Sequence, residues 1–172
     1  MKKTKTEKIA LLGILGALAL ALSAAEGFLM PNVAILPPGA KPGLSNIVTM
    51  YAASSLSVPA TIYIVLIKAV FALITRGATA FFMSLSGGVL SAVSMLLLLK
   101  TAKNKISFIG IGVVAALMHN AGQLIVSLIM TGTSAIVGYA PFLMLFGLIT
   151  GFVTGSVLKV TVPAIEKATK KK

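Results

Sequence analysis

The sequence has no cysteine, and its 172 residues include only three acidic side chains, Glu7, Glu26 and Glu166. Without cysteine there is no disulfide, no thiolate metal site and no thiol nucleophile. Diphosphate chemistry that depends on Mg²⁺ needs clustered carboxylates to hold the metal, and three scattered glutamates cannot form such a cluster. These absences exclude metal-dependent diphosphate catalysis by this chain alone.

Other catalytic signatures are also missing from the sequence. The single histidine, His119, has no nearby acid or cysteine in the sequence with which to form a catalytic triad. No Walker motif is present, so the chain cannot hydrolyse ATP by itself. We therefore expect no enzymatic activity and no cofactor, and any active transport must take its energy from a partner or a gradient.

Charged residues make up only 10% of the chain, whereas about 25% is typical of soluble domains. Hydrophobic residues make up 58%, and the mean hydropathy is +1.04. This composition cannot cover a soluble surface and indicates an integral membrane protein in a lipid bilayer. The first apolar segment has no clear cleavage site, and we expect it to be a retained span rather than a removed signal peptide.

The net charge is +12, and eleven of the 15 basic residues are lysines in three blocks, each next to an apolar segment. The blocks comprise Lys2, Lys3, Lys5 and Lys8; Lys100, Lys103 and Lys105; and Lys167, Lys170, Lys171 and Lys172. This is the positive-inside pattern, which explains the charge without a nucleic-acid partner.

The apolar segments predict an all-α integral membrane protein with six transmembrane helices and both termini in the cytoplasm. The predicted spans are approximately 9–29, 44–57, 59–75, 79–99, 106–130 and 136–159. The apolar run 44–75 is too long for one span and is interrupted by a Ser/Pro cluster, which we interpret as a tight cytoplasmic turn.

Residues 31–46 form the only long irregular segment, and they contain four of the seven prolines. Proline restricts the backbone, so a stiff, folded-over loop is expected. We interpret 30–43 as an extracellular lid over a ligand pocket. The alternative is a surface connector that only joins two helices.

Ionisable and amide side chains within spans usually face the bundle interior or water. The candidates for a pocket below the loop are Glu26, Lys41, Asn46, Lys68, Arg76, His119, Asn120 and Gln123. Their positive excess suits an anionic or phosphate-bearing ligand. Alternatively, Lys68 pairs with Glu26, and Arg76 extends to the lipid headgroups.

Two spans carry ridges of small residues, which allow close helix contact. The first span has Gly13, Ala17, Ala21 and Ala25 at intervals of four residues. The sixth has Gly147, Gly151 and Gly155, for which packing inside the bundle is the favoured interpretation. Packing within the bundle is also the alternative for the first ridge.

Four stretches resemble a known family: LPPGAKPGLSNIVTMYA, FMSLSGGVLSAVSMLLL, AALMHNAGQL and LFGLITGFVTG. The most specific parts are K-x-G-L-x-N, from Lys41 to Asn46, and H-N-x-x-Q, from His119 to Gln123. They resemble small bacterial plasma-membrane proteins called heptaprenyl diphosphate synthase component I, also named Gx transporter proteins. That family is similar to the substrate-binding S components of energy-coupling factor (ECF) transporters.

The resemblance to S components implies a six-helix, multi-pass protein whose first loop covers an outward pocket. It also implies that Gly13, Ala17, Ala21 and Ala25 dock onto an ECF transmembrane coupling subunit, which ATPase subunits drive. The ligand would be a small, anionic organic molecule, with a flavin or flavin nucleotide as the first expectation, in a vitamin-uptake role. Under this interpretation, the pocket residues are Lys41, Asn46, His119, Asn120 and Gln123.

Two alternatives remain open at this point. In the first, the chain is a non-catalytic accessory membrane subunit of a polyprenyl diphosphate synthase, and it binds isoprenoid diphosphate through Lys41 and Arg76. In the second, it is an oligomeric pore or scaffold built on the glycine ridge of the sixth span.

Overall fold

The computed structural model describes residues 4–29, 41, 43–102 and 105–170. These residues form six α-helices and one short 3-10 helix, with no strand among the described ranges. The α-helices are α1 (Lys5–Leu29), α2 (Asn46–Ser55), α3 (Val58–Arg76), α4 (Ala78–Thr101), α5 (Phe108–Thr131) and α6 (Ala140–Lys170). The 3-10 helix, Ser134–Tyr139, lies between α5 and α6. An all-helical fold with six helices is therefore confirmed.

Serine and glycine residues separate the apolar helices. Ser57 caps α3 by accepting a hydrogen bond from the backbone N–H of Ala60, with the oxygen 3.4 Å from the nitrogen. Gly77 separates α3 from α4 with a φ of +87°, a conformation that strongly favours glycine. Ser107 caps α5 in the same way as Ser57, through the N–H of Gly110.

Five of the six helices are long and apolar enough to cross a membrane. The exception is α2, whose 10 residues span only about 15 Å, against about 30 Å for the hydrocarbon core. The predicted second span, 44–57, is therefore not confirmed as a full crossing. The count of six crossings and the cytoplasmic position of both termini stay predictions.

Although it is short, α2 lies at the centre of the bundle. Its Met50 belongs to a buried cluster with Met95 and Ile111, and its Val48 belongs to a second cluster with Ile64. Its beginning lies beside the end of α1, while residues 55–57 share a cavity with Lys8 at the start of α1. The α2 segment therefore returns the chain towards the level at which α1 begins.

Glycines set the spacing of the three C-terminal helices. An added Cβ at Gly122 of α5 would lie 2.8 Å from the Cα of Gly87 in α4, so the two backbones are in direct contact. An added Cβ at Gly151 would lie 2.5 Å from the Cα of Val113. The ridge on α6 is thus buried against α5, which leaves it unavailable for the predicted oligomeric pore or scaffold.

The ridge of small residues on α1 is exposed, unlike the buried ridge on α6. Gly13, Ala17, Ala21 and Ala25 are all exposed, and an added Cβ at Gly13 would have no neighbour within 4 Å. The bundle instead contacts the other side of α1, where Ala19 is fully buried and Gly16 lies against Tyr63. The alternative that this ridge packs inside the chain's own bundle is therefore wrong.

The predicted lid, 30–43, lies mostly outside the described residues. Lys41 and Gly43 are described, and they lie against the last turns of α1, the beginning of α2 and the middle of α5.

We expect Gly151→Ala to destabilise the protein by about 1–3 kcal/mol, because the new methyl group would overlap the backbone of α5. Gly13→Ala is the matched control, since it adds the same atom to the exposed ridge of α1. Thermal unfolding of both purified variants in detergent measures the difference. Equal melting temperatures would contradict the assigned α5–α6 contact.

Candidate functional site

Polar side chains from α1, α3, α4 and α5 converge with Lys41, Gly43 and Ser45 around one small cavity. The lining residues are Ser23, Glu26, Lys41, Gly43, Ser45, Lys68, Arg76, Ser84, His119 and Gln123. The structure thus brings together six of the eight predicted pocket residues. We refer to this site as the polar pocket.

The two remaining candidates lie next to the polar pocket rather than in its lining. Asn46 begins α2, and its Oδ1 accepts a hydrogen bond from Lys68 Nζ at 2.8 Å. Asn120 points towards α6, where its Nδ2 donates to the carbonyl oxygen of Leu143 at 2.6 Å. Asn46 therefore positions a lining residue, whereas Asn120 links α5 to α6.

The carboxylate of Glu26 holds the turn that leads into α2. It accepts a hydrogen bond from the backbone N–H of Leu44. Gly43 precedes this turn with a φ of +95°, and an added Cβ there would lie 2.8 Å from Asn46 Nδ2. Both the backbone conformation and the lack of space therefore require glycine at this position.

Gln123 binds the backbone of Lys41 through both ends of its amide. Its Oε1 accepts from the Lys41 N–H at 2.8 Å, and its Nε2 donates to the Lys41 carbonyl at 3.0 Å. We call this pair of hydrogen bonds the Lys41–Gln123 clasp. The Lys41 ammonium extends the other way and donates to the carbonyl oxygen of Ser23 in α1. Lys41 therefore connects α5 to α1 across the polar pocket.

Most of the charged and amide groups here are shielded from solvent. Glu26 is 3% exposed and Lys68 is 5% exposed, while Lys41 and Arg76 are half-buried. His119 is buried beside Gly87, where an added Cβ would lie 2.8 Å from its Nδ1. The close α4–α5 contact at Gly87 thus fixes the position of the His119 ring.

The ammonium group of Lys41 is easier to deprotonate than an ordinary lysine. Burial and, to a smaller extent, the neighbouring positive charge of Arg76 lower the pKa of Lys41, Glu26 acts in the opposite direction, and the net result is a pKa of about 8. The group is still largely protonated at neutral pH. It loses its charge about two pH units below the range that is usual for lysine.

The space open to a water molecule within the polar pocket is about 20 Å³. That volume suffices for one water molecule or a small ion. An organic ligand needs a cavity of several hundred Å³. Such a ligand therefore does not fit the polar pocket as the described residues are arranged.

Sequence reasoning missed four lining residues: Gly43 and Ser45, which lie within the K-x-G-L-x-N motif, and Ser23 and Ser84, which lie outside both specific motifs. Serine is common in membrane helices, and neither residue belongs to a distinctive motif. The spacing of Ser23 and Glu26, three positions apart on one helix, places both on the same face and was the available signal. Ser84 lies three positions before Gly87, which contacts His119.

We expect Gln123→Leu to open the segment at residue 41. Loss of the clasp removes the acceptor of the Lys41 N–H, and a hydrogen bond contributes about 1 kcal/mol. Hydrogen–deuterium exchange of a peptide covering residues 41–44 should therefore be at least about fivefold faster.

Ser127→Ala is the matched control, because Ser127 lies one turn further along α5 and its hydroxyl contacts Met83. This variant should exchange like the wild type in the same peptide. Unchanged exchange in Gln123→Leu would show that the clasp does not hold the segment.

Comparison with known proteins gives one family. The family described as heptaprenyl diphosphate synthase component I matches residues 15–161. Neither a curated protein nor a solved structure matches the chain. The matched range includes both the K-x-G-L-x-N and the H-N-x-x-Q motifs and all the residues that line the polar pocket. The chain belongs to the heptaprenyl diphosphate synthase component I family.

Proposed function

We propose that this chain is a non-catalytic, multi-pass membrane subunit that binds a small anionic organic molecule in the polar pocket. The observation that carries the proposal is the convergence of Lys41, Lys68 and Arg76 with a single carboxylate, Glu26, around one cavity. Cationic groups that face inward in a membrane protein mark a ligand pathway or binding site. Because these groups are positively charged, they favour an anionic ligand.

The three cations differ in the kind of contact they offer. Lys68 provides a compact charge about half-way along α3, and Asn46 holds it in place. Arg76, at the end of α3, carries a planar guanidinium that suits phosphate or carboxylate oxygens. Lys41 belongs to the predicted lid and lines the polar pocket, where its ammonium group can contact a ligand.

The basic residues at the other end of the bundle support an outward-facing pocket. Lys8 lies near the start of α1, Lys100 at the end of α4 and Lys105 before α5, and all three are exposed. The polar pocket lies beside the opposite end of α1, at Glu26. By the positive-inside rule, the lysine end faces the cytoplasm of a bacterial cell.

The family description favours a diphosphate as the anionic group. In this version of the proposal, the chain is an accessory subunit of a polyprenyl diphosphate synthase and binds an isoprenoid diphosphate. The catalytic partner then supplies the clustered carboxylates for Mg²⁺, which a chain with three glutamates lacks. The apolar helices keep the isoprenoid within the membrane.

A binding measurement with purified protein in nanodiscs tests this function. We expect isoprenoid diphosphate to bind, and Lys68→Met to weaken binding at least about tenfold, because a hydrogen bond to a charged group contributes roughly 1.5–3 kcal/mol. Lys105→Met removes a lysine at the opposite end and should bind like the wild type. Mass spectrometry of any co-purified molecule identifies the natural ligand.

The pH dependence of binding gives a second test of the polar pocket. Affinity should fall as the pH rises through about 8, because Lys41 loses its proton, and Lys41→Arg should weaken this dependence. A prenyl-transfer assay with and without this chain tests the accessory role. Equal binding by Lys68→Met and the wild type would contradict the assignment of the polar pocket.

A second candidate function is favoured by the exposed ridge on α1. Gly13, Ala17, Ala21 and Ala25 face away from the bundle, and small residues allow a second membrane protein to approach the helix backbone closely. This placement is what an S component would need to dock onto an ECF transmembrane coupling subunit with its ATPase subunits. The ligand would then be a flavin or flavin nucleotide, taken up as a vitamin.

Co-expression with a coupling subunit and its ATPases tests the second candidate. We expect the subunits to co-purify with the wild-type chain and to be lost with the double variant Ala17→Leu and Ala21→Leu, because the added side chains block close contact. The control carries leucine at Ala78 and Ala164, which are exposed on other helices.

The two functions give different results in these experiments. Bound flavin would produce a visible absorption band and support the second function. Stimulation of prenyl transfer without co-purified ATPases would support the first function. If the Ala17 and Ala21 double variant still co-purifies with the coupling subunit, the docking surface is elsewhere.

A further inference from the structure

The charges around the polar pocket do not balance. Lys41, Lys68 and Arg76 line it together with one acid, Glu26, so the ionised side chains sum to two positive charges. Any pairing of Arg76 with Glu26 leaves this sum unchanged. The neutral side chains at the site redistribute hydrogen bonds but add no negative charge.

The rest of the chain cannot supply the missing negative charge. Its only other acids are Glu7 and Glu166. Glu7 lies in the first turn of α1, 19 positions before Glu26 and thus about 28 Å away along the helix. Glu166 lies in the last two turns of α6. Residues 30–40 and 42 contain no ionisable side chain in the sequence, so the rest of the loop contributes no counter-charge.

Burying an unbalanced charge in a low-dielectric environment is costly, and proteins avoid it by pairing the charge or by neutralising the group. Lys68 is 5% exposed, and the partner atom that the structure gives it, Asn46 Oδ1, is neutral. The other end of the Asn46 amide, Nδ2, is buried beside Gly43 and has no hydrogen-bond partner among the described residues. The first observation points to a negatively charged group in the polar pocket, and the second leaves a hydrogen-bond donor directly beside its lining.

The size of the cavity limits what that group can be. The open space of about 20 Å³ accepts one atom or ion of the size of a water molecule. Chloride is only slightly larger than water, carries one negative charge and accepts hydrogen bonds from ammonium, guanidinium and amide groups. A phosphate or a carboxylate-bearing metabolite needs more room than the closed pocket has.

We propose that the closed polar pocket binds a small monovalent inorganic anion, such as chloride, as the counter-ion of Lys41 and Lys68. This inference rests on the proposed function, because it makes the organic anion a competitor for the same cationic groups. Binding of the organic ligand exchanges one negative charge for another. Chloride therefore stabilises the closed form and weakens the apparent affinity for the organic ligand.

Thermal unfolding of the purified protein tests the proposal at constant ionic strength. Sodium chloride or sodium bromide replaces sodium gluconate, whose anion is too large for the closed pocket. The melting temperature should rise saturably with the halide, by at least about 3 °C. The rise should be absent in Lys68→Met and retained in Lys105→Met. Equal melting temperatures of the wild type in chloride and gluconate would overturn the proposal.

Lys41→Met provides a second variant if Lys68→Met fails to fold, because Lys41 is only half-buried and lies outside the helices. It should reduce the halide-dependent rise at least by half. A full rise in this variant counts against the assigned counter-ion. Broadening of the chloride-35 magnetic resonance signal by the wild type, and not by the variant, gives a direct readout of binding.

A competition experiment distinguishes this proposal from the proposed function. The affinity for the organic ligand is measured in chloride and in gluconate, and it should be lower in chloride. Ligand binding that is identical in both salts would overturn the counter-ion and leave the proposed function intact. Halide stabilisation without any organic ligand binding would support the counter-ion and contradict the proposed function.

Discussion

Three cations and one carboxylate share one end of a helix bundle whose surroundings are apolar, and this imbalance constrains the site around it. Glu26 is used twice, as a negative charge among cations and as the acceptor for the turn at Leu44. Removing it would affect both the electrostatics of the polar pocket and the start of α2. Charge and backbone conformation are thus coupled through one side chain.

The packing of the helices positions the residues of the polar pocket. Glycine contacts bring α4, α5 and α6 close together, and His119 and Gln123 lie on the α5 face next to this contact. Gln123 then reaches the backbone of Lys41, which is distant in sequence. Two hydrogen bonds from one side-chain amide thus hold a residue that lies outside regular secondary structure. The hydrogen bonds are few, so a ligand that binds more strongly can displace them.

The family assignment and the exposed ridge of α1 bear on different aspects of function. The family description concerns a component of a synthase, whereas the ridge concerns how a partner could approach in the membrane. Both are compatible with a subunit that binds a ligand and does no chemistry on it. The α6 ridge has the same sequence pattern, but its contacts with α5 exclude the equivalent role.

Much of the fold could be predicted from the sequence, because long apolar runs bounded by polar turns leave few alternatives to helices. Helices α3, α4 and α5 begin and end within about two residues of the predicted spans. Helix α2 also begins and ends within two residues of the predicted 44–57, whereas α6 continues to Lys170, well beyond the predicted end at 159. Hydropathy marks the apolar part of a helix and does not show where the helix itself ends. Periodicity placed Asn120 on the polar stripe, but its rotamer points to Leu143 on α6.

The sequence by itself determined that the chain lies in a membrane, that it is helical, and that negative charge is scarce throughout. Composition and hydropathy suffice for these conclusions, because they do not depend on which residues meet. Only the tertiary structure decided that Lys41, Lys68 and Arg76 share one cavity with Glu26, and that one small-residue ridge is exposed while the other is buried. Such outcomes depend on contacts between residues far apart in the chain, which local sequence patterns do not encode.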